Sequence, residues 1–108
     1  MKVIERVNKA GKLTGHGVMC PACKRVHYFD TGWKFDGNHE RPTFDPSMLV
    51  QGYLGGGKTG TCHSFLKNGQ WQFLSDSTHE LAGKTVDVID LPESLADLGQ
   101  VIDQRDGA

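Results

Sequence analysis

The stretch Thr61-Cys-His-Ser-Phe-Leu-Lys-Asn-Gly-Gln-Trp-Gln-Phe-Leu-Ser-Asp76 decides the fold. Asn-Gly tolerates positive φ at both central positions of a type I′ turn, so the runs on either side read as the two strands of a hairpin. With a two-residue turn, Lys67 opposes Gln70, His63 opposes Leu74, Cys62 opposes Ser75 and Thr61 opposes Asp76. Side chains alternate between faces along a strand, which puts Cys62 and Ser75 on one face and Thr61, His63, Leu74 and Asp76 on the other. One strand thus offers a thiol to one side and an imidazole to the other.

Working outward, Met48 to Leu54 reads as the preceding strand and Gly55 to Gly60 as the flexible tip joining it to Thr61. Gly57-Lys58-Thr59 in that tip resembles the end of a phosphate loop, but Leu54 stands where the first glycine belongs and a strand follows, which excludes nucleotide binding there. The segment Arg41-Pro-Thr-Phe-Asp-Pro-Ser47 carries two prolines, each of which pushes the residue before it into extended geometry, so it is expected to be a fixed loop or sheet edge. Further upstream, residues 2–7, 12–19 and 25–29 read as short strands. Downstream, Ser77 to Gly83 reads as a helical turn and Thr85 to Ile89 as a final strand. In the tail, Asp90-Leu-Pro92-Glu93 looks like a helix N-cap, and Leu91, Leu95, Leu98 and Ile102 recur at helical spacing, predicting a packing helix over residues 90–104. The fold class is therefore mainly β with α+β character: residues 1–108 as one domain with a small antiparallel sheet, a zinc-ribbon-like knuckle and a C-terminal helix.

Twelve basic and thirteen acidic residues in 108 give a net charge of −1. No Lys/Arg stripe is present to neutralise phosphates, which excludes general nucleic-acid binding. No run approaches the roughly eighteen apolar residues of a membrane span, and the first residues lack a signal-peptide core, so a cytoplasmic location without membrane contact is expected.

Three cysteines carry the clearest chemistry. Cys20-Pro-Ala-Cys23 is a knuckle that lets two thiolates converge on one ion, and Cys62 supplies a third. The competing reading, a redox pair, would be expected at the start of a helix, whereas a strand-like run follows Cys23. The expected cofactor is Zn²⁺, held structurally by Cys20, Cys23, Cys62 and a histidine. His79 is the preferred fourth ligand because the hairpin returns the chain beside Cys62; His27 and His63 are the alternatives, and adjacency to Cys62 on a strand counts against His63. Separately, Ser47, His63 and Asp76 form a candidate nucleophile, base and orienting carboxylate.

The motifs Trp33-x-Phe-Asp-Gly-Asn38, Arg41-Pro-Thr-Phe-x-Pro-Ser47, Cys62-His-Ser-Phe65 and Phe73-Leu-x-Asp-x-Thr-His-x-Leu-Ala-Gly83 resemble, over residues 18–92, a family of small phage and prophage zinc-binding proteins often labelled ammonia monooxygenase. Its members carry cysteine where this chain has Ser77. The chain lacks the membrane segments and open histidine-rich site that a copper oxygenase requires, so that label does not describe its chemistry. The order of cysteine cluster, Pro-Ser, Cys-His and Asn-Gly also resembles, more distantly, a bacterial family encoded beside ubiquitin-like conjugation genes and proposed to contain serine peptidases. That resemblance implies Ser47 as nucleophile and His63 as base, with a ubiquitin-like conjugate as protein substrate or partner. Two functions are therefore expected to compete. One is a zinc-stabilised serine peptidase or acyl hydrolase acting in a host cytoplasm if phage-encoded. The other is a non-catalytic interaction module that docks a protein through exposed Trp33, Phe35 and Phe44.

Overall fold

The computed structural model describes residues 1–55 and 57–104. Strands dominate: β1 (Val3–Val7), β2 (Leu13–Cys20), β3 (Arg25–Asp30), β4 (Lys34–Phe35), β5 (Phe44–Gly55), β6 (Lys58–Lys67), β7 (Gln70–Phe73) and β8 (Thr85–Asp87), followed by α1 (Glu93–Ala96) and β9 (Gln100–Ile102). They form two sheets, β3-β2-β1-β9 and β4-β5-β6-β7-β8. Every pairing is antiparallel except β1 with β9.

The turn at Asn68-Gly69 organises the second sheet. Both residues have positive φ, 50° and 74°, and the β6–β7 register runs Lys67↔Gln70 to Ser64↔Phe73, as the two-residue turn requires. The turn also gathers its neighbours: Gly69 N–H donates to the Pro42 carbonyl (3.0 Å), Asn68 N–H to Thr43 Oγ1 (2.9 Å), and Val88 N–H to the Gly69 carbonyl (2.8 Å). A Cβ at Gly69 would lie 2.8 Å from Arg41 Cα, so glycine is needed for close approach as well as for its φ. The loop leading to Ser47 is thereby anchored on the hairpin.

One core joins the sheets. Val3, Val18 and Phe29 from the first meet Phe44, Met48, Leu66, Trp71 and Phe73 from the second. Phe29 and Phe35 stack on Phe44 at centroid distances of 4.3 and 4.5 Å, and the Trp71 indole N–H crosses to the Met19 carbonyl (3.2 Å). Offset stacking adds to the burial of these large rings. Phe44 is 1% exposed, and Trp33 and Phe35 are partly buried against the same core. Of the three aromatics of the expected docking surface, Phe44 is therefore interior, while Trp33 and Phe35 remain partly exposed.

The tail departs from expectation. The helix predicted over 90–104 is a single turn, α1, that buries no residue and has Pro92 as an N-cap without a side-chain hydrogen bond. Asp90, the expected cap, points its carboxylate at Lys2 Nζ instead (3.3 Å). Gly99, at φ 74°, ends the turn, and the chain pairs in parallel with β1 as β9. Asp103 then closes the strand through its N–H to the Val7 carbonyl and its carboxylate to buried Arg6 (3.5 Å). The chain takes the edge of β1 in place of the helical face, and Leu98, expected to pack, is 65% exposed. Ser77 to Gly83, expected to form a helical turn, is a series of turns. Among the described residues no helix is long and apolar enough to cross a membrane.

Candidate functional site

Strand β6 presents two chemistries because its side chains alternate. Cys62 is wholly buried, facing Val50 across β5, while His63 pairs with Leu49 and keeps its ring a quarter exposed on the other face. The expected division between a thiol face and an imidazole face is thus the observed one.

On the inner face, Cys20, Cys23, His27 and Cys62 are all buried and their ligand atoms lie within 4.8 Å of one another. Cys20 ends β2, and Lys24, at φ 56°, turns the knuckle with its N–H bonded to the Cys20 carbonyl (2.9 Å). β3 then carries His27 inward. All three cysteines are free thiols. Hydrogen bonds from Cys20 and Cys62 hold the Cys23 thiol far below its ordinary range, while the bond to Cys23 pushes Cys20 up to about 11. Cys62 is pushed up strongly by its bonds to Cys20 and Cys23 and by burial. The thiols thus oppose one another's ionisation, and a divalent cation is what would allow three thiolates to coexist. His27 Nε2 is buried without a hydrogen-bond partner, a cost that metal ligation would remove. The cluster fits a metal ion.

His79 does not belong to this cluster, contrary to the preferred assignment of the fourth ligand. Its Nε2 lies 3.3 Å from Cys62 Sγ, but its Nδ1 accepts the Leu81 N–H (3.2 Å). The ring hydrogen of the neutral form is therefore on Nε2, which donates to the sulfur and has no lone pair for a metal. Such a bond orients and tunes a thiolate ligand. The sequence signal for His27 was available: it alternates with Phe29 on the buried face of β3.

On the outer face, Ser47, His63 and Asp76 come together. His63 Nε2 lies 3.4 Å from Ser47 Oγ, and His63 Nδ1 lies 3.0 and 3.2 Å from the two Asp76 carboxylate oxygens. Ser47 sits in an irregularity of β5: Phe44 pairs with Leu66 and Met48 with Ser64, so five residues on β5 span three on β6 and the ladder is offset by two. Bulges re-aim side chains in this way. The Trp33 indole N–H donates to the Ser47 carbonyl (3.4 Å).

Asp76 is placed by the chain after β7. Where that strand ends, Leu74 N–H still bonds the His63 carbonyl (2.8 Å), and the chain then turns back. Buried Ser77 replaces the missing ladder: its Oγ accepts the His63 N–H (3.0 Å) and donates to the His63 carbonyl (3.1 Å). Thr78 does the same at Thr61, with Oγ1 accepting the Thr61 N–H (2.9 Å) and the Thr78 N–H reaching the Thr61 carbonyl (2.9 Å). Gly60 lets this loop approach, since a Cβ there would strike Thr78 Oγ1. Sequence reasoning missed Ser77 and Thr78 as positioning groups.

No curated protein and no solved structure is significantly similar to the chain. A family match spans residues 2–74, a segment that contains Cys20, Cys23, His27, Ser47, Cys62 and His63 and stops two residues before Asp76. The matching family is the second of the two resemblances noted in the sequence. Over that span, with a serine and a histidine within reach of each other inside it, the chain belongs to the family of bacterial ubiquitination-like system serine proteases (BubE).

Proposed function

We propose that this chain is a serine hydrolase that cleaves a ubiquitin-like modifier from its conjugate, with zinc as a structural ion. The observation that carries this reading is the continuous line from Ser47 Oγ through the His63 ring to the Asp76 carboxylate. Asp76 accepts the Nδ1 hydrogen and leaves Nε2 free to act as base. Ser47 Oγ attacks the carbonyl carbon of the scissile bond as its proton passes to Nε2. The tetrahedral adduct collapses, the leaving group takes that proton, and the acyl group remains on Ser47 until water, deprotonated by the same nitrogen, releases it. The 3.4 Å separation suits a substrate-free site, where such bonds are long and tighten on binding.

Cys20, Cys23, His27 and Cys62 would hold the ion, which supplies cross-linking of the knuckle to β6 and no chemistry at the scissile bond, since four protein ligands leave no position for water. Free thiols of this kind suit a reducing compartment such as the cytoplasm. The phage and prophage resemblance adds a setting, removal of a host's tag. The competing interaction-module reading loses Phe44, one of its three aromatics, to the core and keeps Trp33 and Phe35.

The test is reaction with a small fluorophosphonate and mapping of the adduct by mass spectrometry. A single modification on Ser47 that disappears in Ser47→Ala is expected. No modification of folded, metal-loaded protein would overturn the reading.

A further inference from the structure

The outer face of the β5–β6 hairpin continues from the triad. Leu49 stands directly opposite His63, Gln51 opposite Thr61 and Tyr53 opposite Thr59. Leu49 is 50% and Tyr53 60% exposed, whereas the inward residues of the same strand, Met48 and Leu54, are buried. A scattered exposed leucine needs no explanation. This one has a particular place. It follows Ser47 by two residues on the same strand, about 6.6 Å away, and its Cβ lies about 5 Å from that of His63. An acyl group cannot settle against Ser47 Oγ without its flanking residues passing near Leu49. The β5 and β6 residues on this face between Ser47 and Tyr53 are uncharged, with charge only at its two ends, where Asp76 is engaged with His63 and the Arg25 guanidinium lies 5.9 Å over the Tyr53 ring. A charged side chain laid against Leu49, between these ends, would lose hydration against an apolar surface.

Resting on the hydrolase reading, we propose that Leu49 is a specificity residue: it receives an apolar side chain flanking the scissile bond of an extended, uncharged peptide segment that lies across the outer face of β5 and β6. β6 lies between β5 and β7, whereas β4 pairs with β5 only at Phe44 and Asp45. Leu49 therefore acts on the segment through its side chain, on the outer face.

The experiment uses the full metal-loaded chain and internally quenched peptides that differ only at the two residues flanking the cleaved bond, with Leu, Gly, Asp or Lys at each. Wild type is expected to favour Leu over Lys and Asp by about tenfold or more in kcat/KM, the scale on which apolar pockets discriminate. Leu49→Lys should collapse or invert the Leu-to-Asp preference, whereas Leu98→Lys, a control at an exposed position in the tail, should leave it as in wild type. Small fluorophosphonates, which have no peptide side chain, report separately on Ser47. Labelling together with no cleavage, with an indifferent peptide profile, or with a profile unmoved by Leu49→Lys overturns this inference alone. Failure of wild type to label overturns the hydrolase reading and this one with it.

Discussion

On its inner side β6 contributes Cys62 to a cluster sealed from solvent, while on its outer side the next residue, His63, joins a serine and an aspartate that is 60% exposed. The inner site draws on a tight knuckle and one distant strand, and its members are held by burial and by one another. The outer site draws on a bulge, a strand and a turn, and it is held by hydrogen bonds from loops. A structural centre gains from exclusion of water, whereas a hydrolytic site must admit a substrate and finally water itself. Placing the two on opposite faces of one strand lets the first stiffen the second without closing it.

Breaking the inner face should have the largest effect. Chelation, or Cys62→Ser, is expected to unfold the domain, since the apparent stabilisation by structural zinc reaches on the order of 10 kcal/mol. Metal analysis and thermal melting check this, and His27→Ala should lose metal where His79→Ala retains it with weakened affinity. Breaking the outer face should leave the inner one untouched. His63→Ala is expected to keep one metal per chain and the wild-type melting temperature while hydrolysis falls by about 10⁶, the scale of losing a triad base. Metal release from this variant would mean that the two faces are not separate. Asp76→Asn sharpens the comparison, because the amide can keep the geometry while no longer enforcing the tautomer; a loss of about 10²–10⁴ in kcat is expected at unchanged melting temperature. The smallest effect belongs to Ser77→Ala. It removes both hydroxyl bonds to the His63 backbone, costing about 1–2 kcal/mol of stability and lowering kcat by about tenfold through loosened alignment, with kcat restored in Ser77→Thr.

How much of this could be read beforehand differs between the faces. The Asn68-Gly69 turn makes the β6–β7 register legible as far as Ser64–Phe73, but the expected pairs Cys62–Ser75 and Thr61–Asp76 do not form: the chain turns after Leu74, Thr61 bonds to Thr78, and Asp76 reaches His63 from that turn. The knuckle was legible from thiol spacing. The return of the hairpin beside Cys62 favours His79 in the sequence, whereas the buried parity of β3 is what selects His27. The offset in β5 could not be read: two prolines announce extended backbone but do not count the residues a ladder skips. The tail misled because helical spacing of Leu91, Leu95, Leu98 and Ile102 is a local signal, and the vacant edge of β1 that captured Gln100–Ile102 is a long-range one.

The pairing of β9 with β1 has a consequence for how the molecule is made. Glu5 stands across from Gln100, so β1 waits for a strand translated after all the other described elements before its sheet is complete. Cys20, Cys23 and Cys62 all leave the ribosome well before that partner does. The nascent chain thus has an interval in which the knuckle and the hairpin can capture an ion while one side of the first sheet is still open. The latch formed by Arg6 and Asp103 can close only afterwards, so the order of synthesis gives the thiol cluster the chance to form before the sheet is sealed.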